Sequence, residues 1–471
     1  MTAEQFGAQL GDLLVCGGTL VDETGEWRGD VLVRKGRIEA VSREDSLTAP
    51  PGATILDAGG CIVSPGLVDL HAHLREPGGE IAETVESGSR AAALGGYTAV
   101  VAMPNTEPAI DSGAIARDVL ALGDKALAEI AVAGAITVGR RGERLVPMAE
   151  LAELGVRLFT DDGRGVQNGG LMRRALEYAS GLGVVLAEHC EDTQLAAGGH
   201  MNEGAWSSRL GIAGQPALAE EAMLARDIAL VRLTGAPMHF LHLSTAGSLE
   251  MVRAAKSEGL PVTAEVTPHH LALSDAAVQG YDPVYKVNPP LRTVSDVLAL
   301  RAGLASGVID AIATDHAPHA PERKEEPFDE APAGMLGLET ALAVAYGVLC
   351  AGPGPEQGDA THGWVPAGEG AKMPLRELVG LFSWKPARIA GLAAEGSGGA
   401  RGPRGGQGGP IRPGAVAHLM VFDPEAEWVV DATRQASRSR NTPYAQRRLK
   451  GKVRHTVFAG EVVVLDGEAQ R

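Results

Sequence analysis

Short apolar runs recur eight times through the middle of this 471-residue chain, and this repetition constrains the fold more than any other feature. Stretches rich in Ala, Leu, Glu and Arg separate the runs, which is typical of strands that alternate with helices. The runs are residues 63–70, 98–103, 130–136, 157–160, 184–187, 238–243, 262–266 and 309–314. This alternation predicts an α/β fold, either a (β/α)8 TIM-type barrel or a doubly wound parallel sheet.

The positions of the polar residues favour the barrel. Histidines and aspartates follow several runs at their C-terminal ends, where barrels of this type hold their active sites. We therefore predict a catalytic barrel over residues 63–395. Residues 1–62 and 410–471 have the pattern of short strands with Gly-containing turns, so we predict that the two chain ends pair into one small β-sandwich domain.

Two Gly-rich segments interrupt this organisation. Residues 396–409 have the composition of a flexible insertion, and residues 352–372 that of a surface loop. We assign no chemistry to either segment.

The first apolar run leads into a group of basic side chains at His71, His73 and Arg75. On an extended strand these three residues would leave the same face, because side chains two apart point the same way. Two neutral imidazoles can share a divalent metal, and the guanidinium beyond them can hold a carboxylate through two parallel hydrogen bonds. The pattern indicates an enzyme that acts on a small acidic substrate.

Further candidate ligands follow other runs. His189 and His242 each end a run, the pair Asp161 and Asp162 follows another, and Asp315 follows the last, with His316 and His319 just beyond it. In a barrel these strand ends converge, so the side chains could meet within reach of a metal ion. The spacing alone leaves open which of the two adjacent aspartates is a ligand.

Composition excludes several other functions. The formal net charge of −17 argues against nucleic acid and anionic membranes as partners, because phosphate binding needs clustered Lys and Arg. The four cysteines form no close-spaced pair, which indicates a reducing compartment. No signal peptide and no long apolar segment are visible, so we expect a cytoplasmic protein.

Five segments resemble the amidohydrolase superfamily, and specifically the bacterial type I dihydroorotases, in the same order along the chain. The segments are residues 68–78, 102–106, 187–192, 286–292 and 313–319. The resemblance runs from about residue 12 to the C-terminus, and the Gly-rich segments are the main departures. It implies a metal-bearing (β/α)8 barrel with a small composite β domain.

The resemblance also implies roles for individual residues. The implied metal ligands are His71, His73, Asp162, His189, His242 and Asp315, which would hold one or two divalent ions, expected to be zinc. Asp162 would bridge two metals, and Asp315 would also be the general acid/base. The implied substrate-binding residues are His73, Arg75, Asn105, Asn288, His319, Ala333 and Gly334. The implied reaction interconverts L-dihydroorotate and N-carbamoyl-L-aspartate in pyrimidine biosynthesis.

One absence separates this chain from similar enzymes. Many amidohydrolases bridge two metals with a carbamylated lysine, but this chain has no lysine between Lys125 and Lys256. The gap counts against the alternative of a hydantoinase or allantoinase, which act on uncharged cyclic ureides. A second alternative is a catalytically silent scaffold for aspartate transcarbamoylase. By resemblance we expect a homo-oligomer, with a transcarbamoylase complex as a further possibility.

Three remaining features receive structural interpretations. Cys190 follows His189 on a strand and should face the opposite side as a buried thiol. His269 and His270 should hydrogen-bond behind the ligands rather than bind metal. Residues 322–326 are charged and predict a solvated loop, with a lid over the site as the alternative.

Overall fold

The computed structural model describes residues 11–352, 363–368, 372–393 and 406–471. Its strands are β1 (Leu13–Asp22), β2 (Gly25–Arg34), β3 (Arg37–Val41), β4 (Thr54–Asp57), β5 (Ile62–Pro65), β6 (Leu67–Ala72), β7 (Tyr97–Ala102), β8 (Glu129–Val132), β9 (Leu158–Phe159), β10 (Val185–Glu188), β11 (Met201–Asn202), β12 (Gly214–Gln215), β13 (Met238–Phe240), β14 (Val262–Val266), β15 (Ala311–Ile312), β16 (Leu419–Val429), β17 (Arg448–Phe458), β18 (Glu461–Leu465) and β19 (Glu468–Ala469).

Helices lie mainly between the strands of the middle region, which makes the protein α/β. They are α1 (Val85–Leu94), α2 (Gly113–Leu122), α3 (Met148–Glu153), α4 (Gly169–Leu182), α5 (Ala205–Leu210), α6 (Leu218–Thr234), α7 (Ala246–Ser257), α8 (Pro268–Ala272), α9 (Val294–Ala305), α10 (Ala341–Leu349), α11 (Leu375–Phe382) and α12 (Trp384–Ile389). Within the described ranges, none of these helices is long and apolar enough to cross a membrane.

The two chain ends meet in one nine-stranded sheet. Its order is β19-β18-β17-β16-β5-β1-β2-β3, and β4 pairs with β1 off this path. The junction is the antiparallel pairing of β5 with β16, where Val63 lies opposite Val421. The apolar side chains of the sheet form a core of their own that includes both of these valines.

Eight parallel strands carry the middle of the chain. They form a three-stranded sheet, β6-β7-β8, and a five-stranded sheet, β9-β10-β13-β14-β15. Two isolated parallel bridges connect these sheets, one between Gly134 and Phe159 and one between Ala72 and His316. One bridge links the edge strands β8 and β9, and the other links the edge strands β6 and β15.

Alternation along β14 shows how the parallel strands are built. Val262, Ala264 and Val266 belong to the large core that also contains the helix residues. Thr263 and Glu265 point to the other face, because successive side chains of a strand alternate. The interior therefore receives polar side chains even from a strand whose sequence is mostly apolar.

The first predicted run, residues 63–70, is two strands rather than one. β5 belongs to the composite sheet and β6 to the parallel strands, with Gly66 between them. A Cβ atom at Gly66 would lie 2.1 Å from the Oγ1 atom of Thr98, so this close passage requires glycine. Because both strands are apolar, hydropathy alone could not locate the change of sheet.

The Gly-rich segments are less simple than predicted. Most of residues 396–409 lie outside the described residues, but Gln407 is fully buried, so the prediction of a flexible insertion is wrong at this residue. The surface-loop prediction for residues 352–372 is wrong at Trp364, which is 3% exposed and bridges Leu273. The neighbouring residues 353–362 and 369–371 also lie outside the described part of the chain.

Candidate metal centre

Six predicted ligands meet where the parallel strands end. His71 lies on β6 and His73 just beyond it, and the others follow β9, β10, β13 and β15. The structure brings together His71, His73, Asp162, His189, His242 and Asp315. All six are buried. Convergence at one end of parallel strands explains why residues so distant in sequence share one site.

Asp162 lies at the centre of the cluster. Its Oδ1 atom is 3.4 Å from Nε2 of His71 and 3.7 Å from both Nδ1 of His189 and Nε2 of His242. Its Oδ2 atom is 3.6 Å from Nε2 of His73. One carboxylate therefore faces all four imidazoles.

Asp315 faces two of these four histidines. Its Oδ1 atom is 3.0 Å from Nε2 of His73 and 3.6 Å from Nε2 of His71. Two groups of potential ligand atoms result, His71 with Asp162 and His242, and His71 with His73 and Asp315, each within 4.8 Å. The two groups are adjacent because they share His71.

The donor set fits a divalent metal. Nε2 of His71 is buried and makes no hydrogen bond with any described residue. Nδ1 of His189 lies 2.9 Å from Nε2 of His242, within hydrogen-bond distance of a residue in the first ligand group. Imidazole nitrogens and carboxylate oxygens at one buried point are the ligands that zinc and similar ions take.

The electrostatics of the cluster also call for positive charge. Burial alone would lower the pKa of His71, but the Asp162 and Asp315 carboxylates raise it well above the ordinary value. Burial alone would raise the pKa of Asp162, but the facing histidines, His71 foremost, hold it well below its usual range. The carboxylates are thus ionised and paired with the imidazoles.

The two adjacent aspartates have different surroundings. Asp161 accepts hydrogen bonds from the backbone N–H groups of Ile136 and Thr137 and from the Thr137 hydroxyl. Asp162 instead faces the histidines. The structure therefore places Asp162 in the cluster and Asp161 in the support of the neighbouring loop.

Arg75 reaches the site by a different route from the one predicted. β6 ends at Ala72, and Arg75 has a φ of 59°, so the strand alternation does not extend to it. Its Nε atom donates to the carbonyl of Pro318 at 3.1 Å, in the loop after β15. The prediction of a single row on one strand face is wrong for Arg75, although its side chain still reaches the same site.

Two cluster residues have left-handed backbone conformations. His242 has a φ of 28° and Asp315 a φ of 45°, which are uncommon for residues other than glycine. Such conformations persist where the surrounding structure holds them, and they concentrate at functional sites.

A cavity of about 220 Å³ opens onto the cluster. Its lining includes every predicted substrate-binding residue, namely His73, Arg75, Asn105, Asn288, His319, Ala333 and Gly334. Burial lowers the pKa of Arg75 to about 10, which leaves its guanidinium charged at neutral pH. The cavity thus contains both a cluster of potential metal ligands and a fixed cation.

The far wall of the cavity is made by His319 and the turn at Ala333 and Gly334. Burial and the charges of Arg75 and Lys324 lower the pKa of His319 to about 3, so its ring is neutral. Its Nε2 atom donates to the Ala333 carbonyl at 2.8 Å. A Cβ atom at Gly334, where φ is 147°, would lie 2.7 Å from that nitrogen, so this wall requires glycine.

Both predicted asparagines lie beside the ligand cluster: Asn105 contacts His73, and Asn288 contacts Glu191. Oδ1 of Asn105 accepts from Nδ1 of His73 at 2.8 Å, and the amide nitrogen of Asn105 donates to Oδ2 of Asp162 at 3.5 Å. The amide of Asn288 donates to Glu191 at 2.8 Å, and Glu191 lies 3.4 Å from Nε2 of His189. These contacts orient the imidazoles and add to the substrate-binding roles that we predict.

Several functional candidates escaped the sequence analysis. They are Glu265, which contacts His71; Glu191, which contacts His189; and Arg140, whose guanidinium donates to the backbone carbonyl of Asp162. Glu265 had a signal, because a carboxylate in an otherwise apolar strand needs a buried partner. Glu191 is two residues from a predicted ligand.

The structural interpretations have mixed outcomes. Cys190 is 4% exposed and a free thiol, in line with a buried structural role. The ring of His270 contacts Thr267 and the Pro289 carbonyl, whereas Nε2 of His269 is buried without a described partner. Glu322, Arg323 and Glu325 are exposed, as the solvated-loop prediction expects. Lys324 is the exception, because its ammonium donates to the Pro332 carbonyl at 2.8 Å and burial lowers its pKa to about 7.

Comparison with known proteins agrees with this geometry. A family model described as dihydro-orotase-like matches residues 60–248. Dihydroorotase of Pelotomaculum thermopropionicum is 46% identical, over 96% of this chain and 99% of the relative. Dihydroorotase of Anaeromyxobacter dehalogenans is 45% identical, over 98% and 99%. An L-hydantoinase (dihydropyrimidinase) structure from Arthrobacter aurescens aligns with a TM-score of 0.82 at 24% identity, over 98% of each chain.

Fold, site and relatives together define a metal-dependent cyclic amidohydrolase. The L-hydantoinase likeness supports the fold alone, because its sequence identity is low. Both relatives that match at 45–46% identity over almost the whole length are dihydroorotases, a single group within the cyclic amidohydrolases. The chain belongs to the dihydroorotase family.

Proposed function

We propose that this protein is a dihydroorotase that interconverts L-dihydroorotate and N-carbamoyl-L-aspartate in pyrimidine biosynthesis. The observation that carries the proposal is the shared cavity, in which the histidine–carboxylate cluster lies beside Arg75 and neutral His319. A cyclic amide that bears a carboxylate needs both features, one for the carbonyl and one for the free anion.

The metal would be held by His71, His73, Asp162, His189, His242 and Asp315. When bound, a divalent ion, zinc in our proposal, polarises the amide carbonyl and lowers the pKa of water. The two ligand groups share His71 and favour two ions. Asp162 belongs to the first group, and its Oδ2 atom lies 3.6 Å from Nε2 of His73 in the second.

Asp315 is the proposed general acid and base. Burial opposes its ionisation, but His71 and His73 hold the pKa of the carboxyl far below its ordinary value, so the group is ionised and holds no proton of its own. In ring opening it takes the proton from the attacking water and returns it to the ring nitrogen that leaves. In ring closure it takes the proton from the carbamoyl nitrogen as that nitrogen attacks the side-chain carboxylate, and it passes the proton to the carboxylate oxygen that leaves. That oxygen departs as water with a second proton from the solvent.

Substrate orientation falls to the opposite side of the cavity. We assign the free carboxylate of the substrate to the guanidinium of Arg75 and the N–H2 group of Asn105, both of which line the cavity. The resemblance gives His319 the same role, although its Nε2 proton is donated to the Ala333 carbonyl in this structure. Asn288 and the backbone of Ala333 and Gly334 line the pocket for the ring. A charge-assisted hydrogen bond of this kind contributes about 1.5–3 kcal/mol, which is enough to select an anionic substrate.

We propose a closed eight-stranded barrel as the scaffold for this chemistry. The parallel bridges Gly134–Phe159 and Ala72–His316 support closure, because they join the two parallel sheets at both edges. In domain terms, we propose a catalytic barrel over residues 63–395 and a small domain from residues 1–62 and 410–471. Because β5 pairs with β16 in the composite sheet, we propose that the N-terminal part of the small domain extends to Pro65.

The alternative is a hydrolase of uncharged cyclic ureides, as in the hydantoinases that share the fold. The lack of lysine between Lys125 and Lys256 and the presence of Arg75 in the cavity favour dihydroorotase. A silent scaffold is disfavoured because every predicted ligand is present in the cluster. A homo-oligomer, a transcarbamoylase complex and a cytoplasmic location stay predictions.

An assay of both ring systems tests the function. We expect turnover of carbamoyl aspartate and dihydroorotate, little turnover of hydantoin, and loss of activity when a chelator removes the metal counted in the same sample. Faster turnover of hydantoin than of dihydroorotate would contradict the proposal.

A further inference from the structure

Glu265 is a carboxylate buried within the parallel strands, with no exposed surface. Burying a carboxylate is unfavourable unless hydrogen-bond donors surround it. Here its Oε1 atom lies 3.0 Å from Nδ1 of His71 and its Oε2 atom 3.1 Å from Nε2 of His239. The backbone N–H of His242 approaches Oε1 at 3.4 Å. Two of these three donors belong to predicted ligand residues.

The contacts of Glu265 fix the protons around it. Each of its two oxygen atoms lies within hydrogen-bond distance of an imidazole nitrogen, one of His71 and one of His239. A carboxylate only accepts hydrogen bonds, so Nδ1 of His71 and Nε2 of His239 must both donate. Nδ1 of His239 then accepts from the Thr263 hydroxyl at 2.8 Å.

The consequence is a single tautomer for His71 whenever its ring is neutral, as the ring of a metal ligand must be. With its proton on Nδ1, the lone pair of the ring lies on Nε2, the atom that faces both Asp162 and Asp315. Nε2 of His71 is also the buried nitrogen that makes no hydrogen bond with the described residues. The side of the ring that contacts Glu265 is therefore opposite the side that faces the cluster.

We propose that Glu265 is a positioning residue for His71, which holds its ring and proton so that Nε2 is free to bind a divalent metal. This inference rests on the proposed metal centre. It adds to that centre the carboxylate that orients His71, the histidine common to both ligand groups. His71 belongs to both ligand groups, so Glu265 acts on both. A carboxylate behind a metal-binding histidine also raises the basicity of the ring.

The test measures metal affinity rather than turnover. Glu265→Gln keeps the size of the side chain and can still accept from His71, but it removes the negative charge. We expect its zinc dissociation constant, measured by competition with a chromophoric chelator, to rise about 10- to 100-fold, and the visible spectrum of the cobalt-loaded protein to change.

Glu129→Gln is the matched control. Like Glu265, Glu129 is a buried glutamate on a parallel strand. It lies on β8 at the opposite end of the strands, where it accepts from the side-chain amide of Gln407. We expect its zinc affinity to stay within about threefold of the unsubstituted protein. Equal losses in the two variants, or no loss in Glu265→Gln, would overturn the proposal.

Glu265→Asp covers the case in which the glutamine variant does not fold. Aspartate keeps the buried charge but is one methylene shorter, so its contact with Nδ1 of His71 is lost. We expect zinc affinity to fall at least about fivefold, and affinity equal to that of the unsubstituted protein would refute the role of Glu265. An unsubstituted protein that binds zinc without dihydroorotase activity would refute the proposed function alone, and one that binds no divalent ion would refute both.

Discussion

The two ends of the parallel strands carry buried polar clusters of opposite character. At the N-terminal ends, the amide of Gln407 accepts from the Thr98 hydroxyl at 2.7 Å and donates to Glu129 at 2.7 Å. At the C-terminal ends, imidazole nitrogens and carboxylate oxygens converge on the same points, and Nε2 of His71 makes no hydrogen bond in the described structure. One cluster pairs its donors with acceptors, whereas the other gathers potential ligand atoms for a cation.

The difference separates stability from function. A satisfied network of hydrogen bonds contributes to folding, and its loss leaves buried groups unpaired. A cluster of ligands that compete for the same position would be unfavourable without a role, which is why strained and incompletely paired groups indicate active sites. In barrels the same division places stability at the N-terminal face and chemistry at the C-terminal face.

The largest expected effect comes from Asp315→Asn at the C-terminal end. Asparagine removes the proton acceptor, so kcat should fall about 100- to 10,000-fold, the range that general acid–base catalysis contributes. We expect the melting temperature to change little. Steady-state rates with carbamoyl aspartate, together with the melting temperature, check this prediction, and near-normal turnover would remove Asp315 from the mechanism.

The adjacent aspartates sharpen the comparison within a single loop. Asp162→Asn should weaken zinc binding by more than the about 100-fold that removal of an outer partner produces. Asp161→Asn should lower stability instead, because Asp161 accepts from the backbone of Ile136 and Thr137. Chelator competition and urea unfolding of both variants separate the two effects, and a metal defect confined to Asp161→Asn would reverse our assignment.

The sequence predicted the metal cluster better than its surroundings. His189, His242 and Asp315 follow apolar runs directly, so strand-end position was enough to find them. Asp162 could be separated from Asp161 only by resemblance, because nothing local shows which carboxylate receives backbone donors. Arg75 was predicted from strand alternation that ends before it, since the backbone turns after Ala72.

The groups behind the ligands were missed for a common reason. Glu265 lies inside a run interpreted as apolar, and Gln407 at the end of a Gly-rich segment interpreted as flexible. Glu265 contacts His71, which is more than 190 residues away in the sequence. Gln407 contacts Thr98, which is more than 300 residues away. Local patterns contain no information on such pairs until the fold brings them together.

A smaller effect is expected from Arg75→Ala, which tests the wall opposite the metal. Removal of the guanidinium should raise KM for dihydroorotate about 10- to 150-fold, equivalent to about 1.5–3 kcal/mol, because the free carboxylate loses its charged partner. Metal content should stay unchanged, since Arg75 is not in the ligand groups. Arg141→Ala, at an exposed arginine, is the control, and an unchanged KM for Arg75→Ala would contradict the carboxylate role.

The smallest effect on activity should come from Gln407→Ala at the N-terminal end. The substitution leaves Thr98 and Glu129 without this buried partner, so the free energy of unfolding should fall by about 1–3 kcal/mol. We expect kcat and zinc affinity to stay within about twofold, because the contacts of Gln407 lie at the far end of β7 and β8 from the ligands. Urea unfolding and steady-state kinetics on one preparation check both halves. Loss of activity without loss of stability would mean that the two ends are coupled, and the separation of stability from chemistry along these strands would not hold.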